Sequence, residues 1–500
     1  MGKSDIRLKY SGLIVFASNI ISVATGFAFV LMITRNVSTE EFGLWGNIND
    51  LRNYFVLLSG IIPFWATRFI AREHAGSAKT GLIANIFISV AATSIYLALV
   101  PIILTVLKIS SMYAILYIIV AAEILELHIM SALEAVLRTK QPQSIGYALL
   151  IFEVCKVLLG FMFILPLKLG LQGALYSIII SYGIKIAFYI KLTEEELKES
   201  AKWIHLKEWL KAAPINIYNI VGNNIATFSL ILLFAYAGKL ARAYYGAATT
   251  FVAVITYSSF LAFALYPRLL SGGSNEDVSI SLRLVMMFAI PMTAGVMVLS
   301  DSYLTVLEAA YAEARPVLLP LAISGLFLTL SQVFNTIVLG TEKVDAKAKI
   351  AFRELVKTRL FLLFTLPYIL AAVTLPATFF VLTSVATTPL EAATYLALIT
   401  LIAGSASLIA TYIIARKCLI FNFPWKSVFK YSLASAVMAT VLLLIPDPTR
   451  LSKTVVLTLL GAAIYLTVLV LIDKETRLLV KSILEEAMRI IKIRNPNEVR

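Results

Sequence analysis

Asn36-Val-Ser-Thr-Glu-Glu-Phe-Gly-Leu-Trp-Gly46 leads into a polar-spotted apolar stretch that closes with Pro63-Phe-Trp-Ala-Thr-Arg-Phe-Ile-Ala-Arg-Glu73. Ser38 with Glu41 three residues later is the pattern of a capping box, in which side chain and backbone at a helix start satisfy each other. A helix therefore begins here, directly after a first apolar run. That helix carries Asn47, Asn49, Asp50, Arg52 and Asn53 where a membrane span should be apolar. Polar and charged groups at that depth are costly and face a wet interior. The stretch reads as one wall of a water-filled cavity.

The remainder of the chain fits that reading. Of its 500 residues, 60% are hydrophobic and only 14% charged, which lies outside the soluble globular range. Apolar runs of about 20 residues, each long enough to cross a bilayer, recur from end to end. The expected class is an all-α polytopic membrane protein with about 14 transmembrane helices, the first of them retained over Ser11–Thr34. The net charge of +14 sits in alternate short loops. Lys and Arg favour one set of loops by roughly four to one, which places both termini in the cytoplasm and makes nucleic acid the poorer partner. Cys155 and Cys418 are far apart in sequence and form no CxxC or Cys/His pattern. Neither a disulfide framework nor a metal site is expected. The absence of a Gly-rich phosphate loop disfavours an ATP-driven pump, and no cofactor is expected.

Landmarks repeat at an offset of about 203 residues. Phe42-Gly43 recurs as Tyr245-Gly246, and the Pro63–Arg68 segment as Tyr266-Pro267-Arg268. Asn19 matches Asn223, and Leu137-Arg-Thr-Lys140 matches Leu339-Gly-Thr-Glu-Lys343. Repeats six spans apart keep the same orientation, so the halves should be related by an axis along the membrane normal. The expected divisions are a first lobe at 1–211, a second at 212–419, two further spans at 420–473 and an amphipathic cytoplasmic tail at 474–500.

Inside the spans, helical spacing gathers the polar residues into stripes. Span two offers Arg52, Asp50, Asn49 and Asn53. Span seven offers Asn216, Asn219, Asn223 and Thr227, and span one Ser11, Ser18, Ser22 and Thr25. A cavity lining is one reading; interhelical hydrogen bonding is the other. Arg52 is the leading candidate, because a guanidinium presents a fixed fork of donors matched to phosphate. Asp50, two residues away, does not face it on a helix. Arg68, Arg72 and Arg268 mark a cytoplasmic entrance for an anionic headgroup, or serve only as positive-inside anchors. Glu123, Glu126, Glu134 and Glu153 are candidates for ion coupling; pairing with basic neighbours such as Lys156 is the alternative. His74, His128 and His205 are scattered, so no metal triad is proposed.

Val37-Ser-Thr-Glu-Glu-Phe-Gly-Leu-Trp45, Ala66-Thr-Arg-Phe-Ile-Ala-Arg-Glu73, Tyr311-Ala-Glu-Ala-Arg-Pro-Val-Leu318 and Leu339-Gly-Thr-Glu-Lys343 come in that order. Together with the span count and the six-plus-six repeat, they resemble the Wzx-type polysaccharide flippases of the multidrug/oligosaccharidyl-lipid/polysaccharide (MOP) exporter superfamily. The resemblance implies two six-helix lobes in a MATE-like pseudo-twofold arrangement plus two C-terminal helices. Spans one, two, seven and eight would line a V-shaped cavity. It further implies a non-enzymatic flippase of the plasma membrane that turns a lipid-linked (phosphate or diphosphate) oligosaccharide to the outer leaflet by alternating access. Membrane lipids and glycan-assembly enzymes are the implied partners. A MATE-like drug/cation antiporter is the alternative and predicts dependence on Glu123 or Glu126. A membrane-embedded glycosyltransferase or polymerase would need a larger extramembrane loop than this chain has.

Overall fold

The computed structural model describes residues 3–262, 265–270, 274–341, 358–446, 448 and 450–478. Among them the regular structure is helical throughout, without strands. A bilayer interior offers backbone groups no partner but the helix itself, so this is the architecture the apolar runs require. The helices are α1 Lys3–Thr34, α2 Thr39–Val56, α3 Ile61–Ala71, α4 Ser77–Val106, α5 Ala114–Lys140, α6 Gln143–Ile164, α7 Gly170–Leu192, α8 Glu194–Lys198, α9 Trp203–Ile225 and α10 Phe228–Thr256. They continue as α11 Leu265–Leu270, α12 Asn275–Val298, α13 Ser300–Leu307, α14 Arg315–Thr341, α15 Arg359–Ser384, α16 Pro389–Cys418, α17 Trp425–Leu443 and α18 Leu451–Ile472.

Twelve helical stretches among the described residues are long and apolar enough to cross a membrane, making this a multi-pass membrane protein. The expected fourteen differs from this number at two places. Residues Asn216–Ala262 count as one stretch of 47 residues. At 1.5 Å per residue that is roughly 70 Å, about twice a hydrocarbon core. The stretch breaks at Gly238, whose φ of 81° is open to glycine and closed to most other residues. The other place is α1, where Ile21–Thr34 is apolar helix among the residues whose side chains are described.

The capping box that opens α2 is formed. The Glu41 N–H donates to Ser38 Oγ at 3.2 Å, and the Ser38 N–H donates to Glu41 Oε2 at 2.9 Å. Span two is interrupted by a 3₁₀ turn at Leu57–Gly60 between α2 and α3, and a matching turn at Tyr257–Ala262 follows α10. Both interruptions fall at the repeat offset.

Packing divides the described residues into two compact units, within 1–250 plus 343–403 and within 251–342 plus 404–500. In the first unit α1 lies on α6, α4 and α7 lie on α5, and α15 lies on α9. Small residues permit these approaches, as they do between membrane helices generally. Gly222 of α9 leaves room for the Tyr368 ring of α15, whose hydroxyl donates to the Tyr218 carbonyl at 2.6 Å. The loop after α3 is clamped to the loop before α9. Gly76 (φ 77°) donates its N–H to Glu199, and the Lys202 N–H donates to Thr80 Oγ1 at 2.8 Å.

In the second unit α12 packs on α14 and α17, and α17 on α18. Tyr465 of α18 donates its hydroxyl to the Met287 carbonyl at 2.6 Å. The end of α18 is tied down by Asp473, which accepts from Lys430 Nζ at 2.8 Å and from the Thr476 hydroxyl at 2.6 Å. Burial by itself would raise the Asp473 carboxyl, but these donors hold it below the ordinary carboxylate range. A depressed folded value means that the carboxylate stabilises the fold above its unfolded pKa of about 3.9 and loses that contribution as pH falls through the folded value. Amide-exchange protection over residues 470–478, taken relative to the intrinsic rate at each pH, should therefore be constant from neutral pH down to about pH 4 and fall below it. Lys430→Met should remove the step; an unchanged profile in that variant would refute the assignment. The expected tail helix lies, from residue 479 onward, outside the described residues, as do Glu342 and Lys343.

Candidate functional site

Three ion pairs of the first unit meet on α2. Its glycines come first, because they set the distance to α10. A Cβ on Gly43 would run into the backbone carbonyl of Lys239, and one on Gly46 would lie 2.7 Å from the Arg242 guanidinium carbon. At this close crossing, Asp50 receives two hydrogen bonds from Arg242, Nε to Oδ2 at 2.7 Å and Nη2 to Oδ1 at 3.0 Å. Both side chains are about nine-tenths buried, at 9% and 11% exposure. One turn earlier, Lys239 Nζ lies 3.6 Å from Glu40.

Arg52 points the other way round the helix. Its Nη1 pairs with Glu123 of α5, which is fully buried, while its Nη2 donates to Asn53 Oδ1 at 3.3 Å. Asn53 itself is exposed. The guanidinium thus spans from a dry carboxylate to an open edge. Tyr54 reaches α9 and the turn after it, with its hydroxyl 2.9 Å from Thr227 Oγ1 and donating to the Asn224 carbonyl at 3.2 Å.

The remaining predicted residues sort clearly. Asn223 Nδ2 donates to Asn219 Oδ1 at 3.0 Å, and Asn223 and Thr227 are exposed, so the α9 stripe has an open edge. Asn216 keeps its amide nitrogen buried without a partner. Asn49 is spent on its own helix, donating to the Trp45 carbonyl at 2.8 Å. Asn47 is buried and accepts from the Tyr117 hydroxyl at 2.7 Å. Ser18 is buried and donates to the Ile14 carbonyl; Ser22 gives its carbonyl to Thr25, whose hydroxyl also reaches Glu153. Glu153 pairs with Lys156 at 2.7 Å, and Glu134 with Lys185 at 3.2 Å and Arg138 at 3.7 Å. Glu126 has a buried Oε2 without a partner. Arg68 stacks over Phe64, 3.8 Å from the ring centroid, and Arg72 is exposed. In the second unit Arg268 is held by Asp277 at 3.0 Å.

Sequence reasoning missed Arg242, because Lys239 and Arg242 look like ordinary loop charges in the short segment between two spans. The available signal was the Gly43/Gly46 spacing together with Tyr245-Gly246, which marks a close helix crossing. Lys185, the partner of Glu134, was passed over as one charge in an apolar run.

No family model matches the sequence, and no curated protein matches it. Solved structures do. One described as "Lipid II flippase MurJ, inward closed conformation" superposes with a TM-score of 0.68 at 15% identity, covering 92% of this chain and 98% of that one. The two chains share one fold. An inward-facing multidrug resistance MATE transporter of the MOP superfamily gives 0.60 at 12% identity over 81% of this chain and 98% of its own. A MOP superfamily transporter from Pyrococcus furiosus gives 0.52 at 14% identity over 82% and 95%. At such identities the likeness shows the fold and leaves the function to the residues.

Proposed function

We propose that this protein is a Wzx-type flippase, moving a lipid-linked phosphate or diphosphate oligosaccharide from the cytoplasmic to the outer leaflet of the plasma membrane. The observation that carries the proposal is Arg52, a guanidinium at membrane depth with one nitrogen on a buried carboxylate and another at an exposed asparagine. Charge-assisted bonds from a planar fork are the strong way to hold phosphate. The flippase fold in the comparison, which covers more of this chain than the MATE folds do, supports the same reading.

The physical task fits the neighbouring residues. A glycan headgroup crossing hydrocarbon would lose its hydrogen bonds, at several kcal/mol for each stranded hydroxyl. Asn53, Asn223 and Thr227 supply exposed donors and acceptors in their place, with half-buried Asn219 behind Asn223. The lipid tail stays in the bilayer while the lobes expected at 1–211 and 212–419 alternate their access. Arg68 and Arg72 would meet the headgroup at the cytoplasmic entrance.

The test is leaflet exchange in liposomes of a fluorescent polyprenyl diphosphate that carries a short oligosaccharide. Purified protein should bring the label across far faster than empty liposomes do. Arg52→Gln combined with Glu123→Gln, which leaves no buried charge alone, should slow exchange by roughly ten- to a hundredfold, the worth of about 1.5–3 kcal/mol in charged hydrogen bonds. Label that stays on its original leaflet, alongside uptake of an organic cation, would favour the antiporter instead.

A further inference from the structure

Among the described residues of the first unit, each Lys or Arg that lies away from the ends of the spans has an acid beside it. Lys156 is held by Glu153, Lys185 by Glu134 and Arg242 by Asp50. Arg52 is half spent in the same way: Nη1 is on Glu123, and only Nη2, next to exposed Asn53, is turned to the open edge. The other ionisable group one turn from Glu123 is again an acid, Glu126.

The second unit follows the same rule, with Arg283 taken by Glu475 and Lys430 by Asp473. Nor does the repeat give it a counterpart of Arg52: the offset of about 203 leads to Ile255, which is apolar and fully buried. Along span two itself the next cation is Arg68. It lies more than four turns further on, roughly 24 Å of helix at 1.5 Å per residue. That is too far for Arg52 and Arg68 to hold two adjoining phosphoryl groups at once. One charged donor therefore serves the ligand, and it is shared with a carboxylate.

We infer that this carrier prefers a glycan joined to its lipid by a single phosphate and discriminates against a diphosphate link. The inference rests on the flippase reading and narrows it. A phosphodiester link carries one negative charge at neutral pH, and a diphosphate link carries two. The first phosphoryl group finds Arg52. The second finds no cation, in a wall that already holds Asp50, Glu123 and Glu126. A charge left unpaired out of water is costly, and offering the wrong ligand such a place is how a site rejects it. The exposed Asn53, Asn223 and Thr227 serve hydroxyl groups and add no charge. A diphosphate-linked glycan can still use that lining, so it is carried, but with lower affinity.

The experiment is titration of the full chain in detergent, at neutral pH and low salt, with farnesyl phosphoryl glucose and farnesyl diphosphoryl glucose. The two probes share tail and sugar and differ by one phosphoryl group. The monophosphate should bind about tenfold more tightly, or better, the worth of one charged hydrogen bond left unmade. Asn53→Lys sets a second cation at the exposed edge beside Arg52 and should bring the ratio of the two affinities close to one. Equal or tighter binding of the diphosphate by the wild type, or an unchanged ratio in Asn53→Lys, overturns the preference and leaves the flippase reading standing. Binding of neither probe overturns both. The wild-type ratio decides the matter even where the variant does not fold.

Discussion

Arg242→Ala is expected to destabilise the first unit by about 3–5 kcal/mol, because it strands a carboxylate in a site with almost no water. Asp50 and Arg242 are joined by two hydrogen bonds and are each about nine-tenths buried. Burying both ions is costly, and the pair recovers that cost only through its geometry. Removing one member leaves the cost without the recovery. The effect should appear as a lower melting temperature in detergent and a smaller folded yield. Asp50→Asn with Arg242→Gln replaces two ions by two neutral amides, the glutamine shorter than the arginine, and should restore part of the loss. A double variant no better than the sum of the singles would show that the two residues do not act as a pair.

Much of this arrangement was legible in the sequence. The span lengths, the capping box at Ser38 and Glu41, and the polar spots on α2 all follow from local rules, since they concern residues within a few turns of one another. Which charge pairs with which was not. Glu123 and Arg52 are 71 positions apart, and Asp50 and Arg242 are 192 apart. Only the packing of α2 against α5 on one side and α10 on the other brings them together. Local rules handled the Glu153–Lys156 pair well because the two are one turn apart on α6. They failed on Arg242 because a charge near a span end looks the same whether it points to water or back into the protein. The asparagines divided for a similar reason. Spacing put Asn47, Asn49 and Asn53 on one helix, but Tyr117 of a neighbouring helix takes the first, the second turns back to the Trp45 carbonyl of its own helix, and the third meets open space.

Gly43→Leu should be as damaging as losing the ion pair, by a different route. The first added carbon meets the carbonyl of Lys239, which is backbone and cannot turn aside. Helix α2 must then move away from α10, and overpacking of this kind costs about 1–3 kcal/mol or more. The displacement also lengthens the Asp50–Arg242 and Glu40–Lys239 contacts, so the polar losses add to the steric one. Gly46→Ala makes the useful contrast. Its new methyl meets the guanidinium of Arg242, the far end of a flexible side chain, 2.7 Å from its central carbon. That group can shift by a fraction of an ångström, so Gly46→Ala should fold with a smaller loss of stability. Even Gly43→Ala, with the same single methyl, should melt well below Gly46→Ala. Leaflet exchange should follow the same order, since a crossing that is wedged apart cannot return to the close-packed state. Equal melting temperatures for the two alanine variants would mean that the approach of α2 to the Lys239 carbonyl does not hold these helices together.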